Sequence, residues 1–273
     1  MNPCLNMVTI KQVPFPDDVQ YAAEAGFTCV ELWYDKLADY LRGHSLDQAR
    51  QALERAGVEA PALCFQPNLC LKSHEADETL RNEFLARLEV CQALGCRVLI
   101  APAGKGPRPS AGERMEPYRQ AAENLRSAAE LAQQFGVTLA LEFIAGSPFI
   151  DSLASAALVV READHPALGI LFDTYHFWAG RSKLADFAHV SAGKIAFVHV
   201  NDVPDMPREI LTDPDRVRLG EGVIPLAQLL EELRAAGYDG PLSLELFRKT
   251  YWESDPRQVC RLCFASFSTV PEL

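Results

Sequence analysis

A short apolar run, a polar loop and a segment of helical period recur along the chain, and this alternation constrains the fold more than any other feature. The runs at residues 4–9, 28–33, 59–65, 97–101, 138–143, 168–172, 195–200 and 242–247 read as strands. Several are continuously hydrophobic, as parallel strands buried on both faces require. Helical patterns separate them. Asp17-Asp18, after Phe15-Pro16, opens one that closes at Ala25-Gly26, and Ser45-Leu46-Asp47-Gln48 opens another that closes at Ala56-Gly57. Residues 83–94 stop at Gly95, residues 118–135 at Gly136, and residues 226–236, led in by Ile224-Pro225, at Gly237. Each glycine is placed to supply the left-handed turn that aims the chain into the next strand.

Strands alternating with helices fit either a doubly wound open sheet or a closed barrel. An open sheet would usually carry a glycine-rich phosphate turn after an early strand, and no GxGxxG is present. Gly104-Lys105-Gly106 follows the fourth run, but Pro107 and Pro109 forbid a helix start there. The expected architecture is therefore one (β/α)₈ TIM barrel spanning residues 1–273, since a barrel of about 250 residues uses nearly the whole length. No linker or composition shift marks a second domain.

Charge and apolar content narrow the function classes. A net charge of −11 repels phosphate backbones, so nucleic acid is not an expected partner. No apolar run approaches the roughly 20 residues that span a bilayer. Met1-Asn2-Pro3-Cys4 lacks the basic and apolar regions of a secretory signal, so a cytoplasmic chain is expected, with no membrane partner. A homo-oligomer stays open. The eight cysteines do not suggest a disulfide framework in such a chain. Cys29, Cys64 and Cys96 lie in or beside apolar runs. Cys260 and Cys263 form a CxxC on an amphipathic segment, which reads as helix packing rather than as a zinc or redox pair.

In such barrels the reacting groups stand at the carboxyl ends of strands. Four consecutive ends carry a metal-capable side chain: Glu142, Asp173, His199 and Glu245. Each alone has an ordinary explanation as a solvent boundary or a core histidine. Together, three carboxylates facing one mouth would repel each other and desolvate poorly. A divalent cation resolves this, and three oxygens with one imidazole suit Mn²⁺, Mg²⁺, Co²⁺ or Zn²⁺.

Strand-end Glu142, Asp173-Thr174-Tyr175-His176, His199-Val200-Asn201-Asp202, Gly220-Glu221-Gly222 and Glu245-Leu246-Phe247 resemble the xylose-isomerase-like sugar isomerase and epimerase superfamily, over essentially the whole chain. Within it, residues 211–217, residues 40–46, and Glu245-Leu246-Phe247-Arg248 followed by Tyr251 are similar to the inosose isomerase (2-keto-myo-inositol isomerase) group. The resemblance implies Glu142, Asp173, His199 and Glu245 as metal ligands, with Glu142 and Glu245 also moving protons on opposite faces of the substrate. It implies His176 and Arg216 as substrate contacts. Members acting on hexuloses carry more polar groups where this chain has Trp33, Tyr34 and Phe65-Gln66-Pro67, so a flatter, more apolar pocket is expected.

The implied reaction is metal-dependent isomerisation or epimerisation of a small polyhydroxy ketone, an inosose or ketose, through a metal-stabilised enediolate. Two alternatives use the same opening step: a 3-dehydroshikimate dehydratase and a hydroxypyruvate isomerase. Abasic-site endonucleases share the barrel but need extra histidines after the early strands, where Phe65 and Pro102 stand here. A non-catalytic sugar-binding protein would be expected to lose one of these ligands, and none is missing.

Overall fold

The computed structural model describes residues 1–106, 108, 112 and 115–270, so the Pro107 and Pro109 argument lies outside the described residues. In chain order the elements are β1 (Pro3–Asn6), α1 (Asp17–Ala25), β2 (Cys29–Trp33), α2 (Tyr34–Leu41), α3 (Leu46–Ala56), β3 (Glu59–Cys64), α4 (Glu78–Leu94), β4 (Val98–Pro102), α5 (Glu116–Gln134), β5 (Thr138–Glu142), α6 (Leu153–Ala163), β6 (Leu168–Asp173), α7 (Thr174–Ala179), β7 (Ile195–Val200), α8 (Leu226–Ala235), β8 (Leu242–Leu244), α9 (Lys249–Trp252) and α10 (Pro256–Ser266). The eight strands pair in parallel and in sequence order, and β8 closes on β1. The expected (β/α)₈ barrel is what forms.

Side chains alternate across each strand. Ala62, Cys64, Ile100, Ala140, Leu171 and Phe197 meet inside the barrel as a dry floor. Residues between them, such as Leu63, Leu99, Leu139 and Phe172, belong to the larger core under the helices. That double burial is why these strands read as unbroken apolar runs. No helix among the described residues is long and apolar enough to cross a membrane.

Local chemistry explains where the observed bounds depart from the expected ones. The first run stops being a strand at Asn6, whose side chain accepts the Val8 N–H at 3.0 Å and winds Met7–Ile10 into a 3₁₀ turn. The last run leaves the ladder after Leu244, because Thr9 Oγ1 donates to the Leu244 carbonyl and accepts the Leu246 N–H. The fourth helix begins at Glu78 rather than at residue 83, capped by Asp77, whose carboxylate accepts the Leu80 N–H at 3.0 Å. At the end of α1, Gly26 has φ 108°, and a Cβ there would sit 3.0 Å from the Phe264 ring of α10.

All eight cysteines are free and buried. Cys260 and Cys263 are fully buried on α10, and burial pushes the Cys260 thiol up to about 12, so both act as small apolar residues.

One buried ion pair braces the shell beside β1. Lys36 of α2 reaches Asp18 of α1 at 2.6 Å and donates to the carbonyls of Met7 and Ile10. Lys36→Met is expected to destabilise the protein by about 3 kcal/mol at pH 7, because removing one partner strands a buried charge. Burial already raises Asp18 above the ordinary aspartate value, and losing Lys36 raises it further. A folded-state value above the unfolded one gives stability that is present at low pH and lost as pH rises. Denaturant melts should therefore show a smaller penalty near pH 4 than at pH 7, and equal penalties would contradict this account.

Candidate active site

Two residues above the dry floor, the inward-facing positions change from apolar to ionisable. Ala140 is followed by Glu142, Leu171 by Asp173, Phe197 by His199 and Ser243 by Glu245. Asp173 is level with His199, and His199 with Ser243, in the strand register. Glu245 stands one residue beyond β8 and still donates its N–H to the Val200 carbonyl. The four expected ligands thus converge, with one donor atom from each lying within 4.8 Å of the others, and all four are buried.

The donor set fits a divalent cation. His199 Nδ1 lies 3.6 Å from Glu142 Oε1, 3.7 Å from Asp173 Oδ2 and 3.3 Å from Glu245 Oε2, yet it has no hydrogen-bond partner. An orphaned buried nitrogen facing three carboxylate oxygens at ligand–ligand spacing suits an N/O-binding metal.

These side chains are held from behind. Asp173 Oδ1 accepts the N–H groups of Tyr175 (2.6 Å) and His176 (3.2 Å), capping α7, and also Asn201 Nδ2 at 3.2 Å. Oδ2 is left for the centre, where Arg216 Nη1 approaches at 2.9 Å. Asn6 Nδ2 donates to Glu245 Oε1 at 3.2 Å. His199 Nε2 lies 3.0 Å from both oxygens of Glu31, which also accepts the Ser243 hydroxyl at 2.6 Å. The sequence assigns no role to Glu31, Asn6, Asn201 or Ser243. The signal for Glu31 was a charge inside the apolar run Cys29-Val30-Glu31-Leu32-Trp33.

The two expected substrate contacts reach the same centre. His176 Nδ1 accepts the Ala145 N–H at 3.2 Å, which places a ring proton on Nε2, 3.7 Å from Glu142 Oε1. Arg216 Nη2 is 3.2 Å from that nitrogen, but in this tautomer both groups are donors, so this is contact without a bond. Arg216 is buried, bonded to Asp173, Glu245 and Asp213, and it lies over the Tyr175 ring at 4.5 Å. Its loop is pinned by Asp202, whose carboxylate accepts the N–H groups of Val203 (2.9 Å), Gly222 (3.0 Å) and Ile224 (2.9 Å). A Cβ on Gly222 would fall 2.0 Å from the Val203 carbonyl oxygen, so only glycine fits. This accounts for the spacing of Asp202 from Gly220-Glu221-Gly222.

Charge balance differentiates the ionisable groups. Burial raises Glu142, and His199 and His176 offset this only in part. Burial would also raise Asp173 and Glu245, but Arg216 and His199 outweigh it and hold both below their ordinary values. Burial would lower His199, yet Glu245, Glu31 and Asp173 lift it well above the usual histidine value.

Over this cluster opens a cavity of about 300 Å³, whose lining includes the aromatic Trp33, Phe65 and Phe247 and the polar Lys105, His176, Asp213 and Arg216. Trp33 meets Phe65 and Phe247 edge-on at 5.5 and 6.0 Å. The apolar wall is present, but Tyr34, Gln66 and Pro67 are not part of it. Tyr34 lies under the Arg87 guanidinium at 3.8 Å, and buried Gln66 donates to the Pro67 carbonyl. A larger hollow of about 780 Å³ holds none of the converging ligands and lies at the opposite end, beside Glu59, Arg97 and Asp239.

A closed parallel barrel with a metal-capable acidic cluster at the carboxyl ends of its strands defines a class of barrel enzymes. Within that class, the chain belongs to the xylose isomerase-like TIM barrel family, whose profile matches residues 19–262. An inosose isomerase from Halalkalibacterium halodurans is 30% identical, aligned over 93% of this chain and 90% of its own length. A 3-dehydroshikimate dehydratase from Pseudomonas putida is 27% identical over 89% of this chain but only 38% of its own length. The crystal structure of the IOLI protein with a binding zinc atom superposes with a TM-score of 0.89 at 24% identity, covering 98% of this chain and 97% of that one. That likeness shows the shared barrel.

Proposed function

We propose that the protein is a cytoplasmic, divalent-metal-dependent isomerase or epimerase of a small polyhydroxy ketone, with an inosose as the first candidate. The observation that carries this reading is the partnerless His199 Nδ1 aimed at oxygens of Glu142, Asp173 and Glu245. The inosose isomerase relative supports the substrate class, and the aromatic wall of Trp33, Phe65 and Phe247 suits the C–H face of a ring.

Glu142, Asp173, His199 and Glu245 would hold the ion. When bound, a divalent ion supplies Lewis acidity to the carbonyl and hydroxyl oxygens of an α-hydroxyketone. The remaining work falls to the chain. Arg216 and the Nε2–H of His176 hold substrate oxygens in place. One of Glu142 and Glu245 takes the proton α to the carbonyl, and the other returns a proton from the opposite side. Return to the same carbon inverts it; return to the neighbouring carbon, with the hydroxyl proton passing from one oxygen to the other, moves the carbonyl. The 27% identical relative supports dehydration of 3-dehydroshikimate as the second reading, since that reaction starts with the same proton removal.

The test is solvent exchange. Metal-loaded protein in D₂O, offered inososes, ketohexoses, hydroxypyruvate and 3-dehydroshikimate, should place deuterium α to the carbonyl of an inosose, and a chelator should stop it. Exchange into none of these compounds, with one equivalent of metal bound, would overturn the proposal.

A further inference from the structure

Glu31 lies mid-strand in β2, wholly buried and facing into the barrel below the acidic cluster. A carboxylate in that place is costly unless its oxygens are satisfied. Here both are engaged by His199 Nε2 and one also by Ser243. Among the described residues no lysine or arginine pairs with it; its ion-pair partner is His199. A carboxylate only accepts, so the hydrogen between the two groups sits on Nε2, and Nδ1 is the nitrogen turned toward Glu142, Asp173 and Glu245. The oxygens of Glu31 lie on the far side of the imidazole from these groups, so Glu31 cannot share an ion with them. Ser243 is level with His199 in the β7–β8 register and fixes the second orientation of Glu31.

We infer that Glu31, steadied by Ser243, is the positioning residue that selects Nδ1 of His199 as the metal-binding nitrogen and strengthens it as a donor. The inference rests on the proposed metal site. It makes β2, which contributes no ligand, a determinant of metal affinity, through a chain of three side chains running under the site from β8 to β2 to β7.

The experiment compares zinc(II) binding to the wild-type protein and to Glu31→Gln, by competition with a chromophoric chelator. Glutamine keeps the volume and one acceptor oxygen but removes the charge. Zinc is expected to bind 10–100-fold more weakly to the variant, the usual cost of losing such a partner. The visible spectrum of the cobalt(II) form should change as the imidazole loses its fixed orientation. A purely structural role would lower stability but leave affinity and spectrum alone. Zinc binding to E31Q within twofold of wild type would overturn the inference. Should the variant fail to fold, ¹⁵N spectra of histidine-labelled wild-type protein decide. In the zinc-loaded form, a proton on Nε2 of His199 supports the assignment, and a proton on Nδ1 overturns it. Wild-type protein that takes up no zinc or cobalt would instead overturn the metal site itself, and with it the proposed function.

Discussion

His199→Ala is expected to lose most of its bound metal and all measurable turnover while still forming the barrel. Nδ1 is the single nitrogen in the ligand set, and the three carboxylates left behind repel one another. The packed floor of Ile100, Leu171 and Phe197 does not depend on it. Stability should still drop, because Glu31 keeps only the Ser243 hydroxyl. Elemental analysis after gel filtration checks the prediction, and full metal occupancy would remove His199 from the ligand set. A companion effect follows in the wild type. The acidic neighbours lift His199 well above the ordinary histidine value in the absence of an ion, so protons compete with the ion for Nδ1. Metal affinity should therefore fall as pH falls. Calorimetric titrations in buffers of different ionisation enthalpy should show protons released as the ion binds.

Glu142→Gln and Glu245→Gln are each expected to lower kcat by ~10²–10⁴-fold, the range for a lost general acid or base. Glutamine keeps an oxygen ligand and the side-chain length but cannot accept a proton at neutral pH. The two positions are not equivalent. Burial raises Glu142, whereas His199 and Arg216 hold Glu245 down. The two variants should therefore fail differently in D₂O. One should lose exchange of the α-proton altogether, and the other should exchange it without completing the reaction. If both hold a full equivalent of metal and turn over within a few-fold of wild type, the two-glutamate mechanism is wrong, and His176 is the next base to test.

The four converging side chains were legible because parallel strands place them by simple rules. Glu142, Asp173 and His199 each lie two residues beyond a floor position, and Glu245 two beyond Ser243, at the end of a run whose length the apolar pattern marks. Their supports were not legible. Glu31 and His199 are 168 positions apart, and nothing local indicates that a charge in one apolar run meets the histidine of another. The role of Arg216 depended on resemblance, since a lone arginine in an irregular loop carries no period. Strand ends failed where a side chain replaced a backbone partner, as Asn6 does for the Val8 N–H and Thr9 for the strand that would continue β8. Such substitutions look apolar and regular in sequence and become visible only as hydrogen bonds.

The Asp202 carboxylate, bonded to Val203 at one foot of the loop and to Gly222 and Ile224 at the other, has an evolutionary consequence. It closes the excursion at its base much as a clasp closes a bracelet, and Glu142, Asp173, His199 and Glu245 all lie outside the closed segment. The segment is thereby modular. A graft of residues 204–212 from another barrel of this family is expected to leave Glu142, Asp173, His199 and Glu245 in place, provided that Asp202, Asp213, Arg216 and Gly222 are retained. The loop is thus a place where residues over the cavity could vary while the converging side chains stay in register.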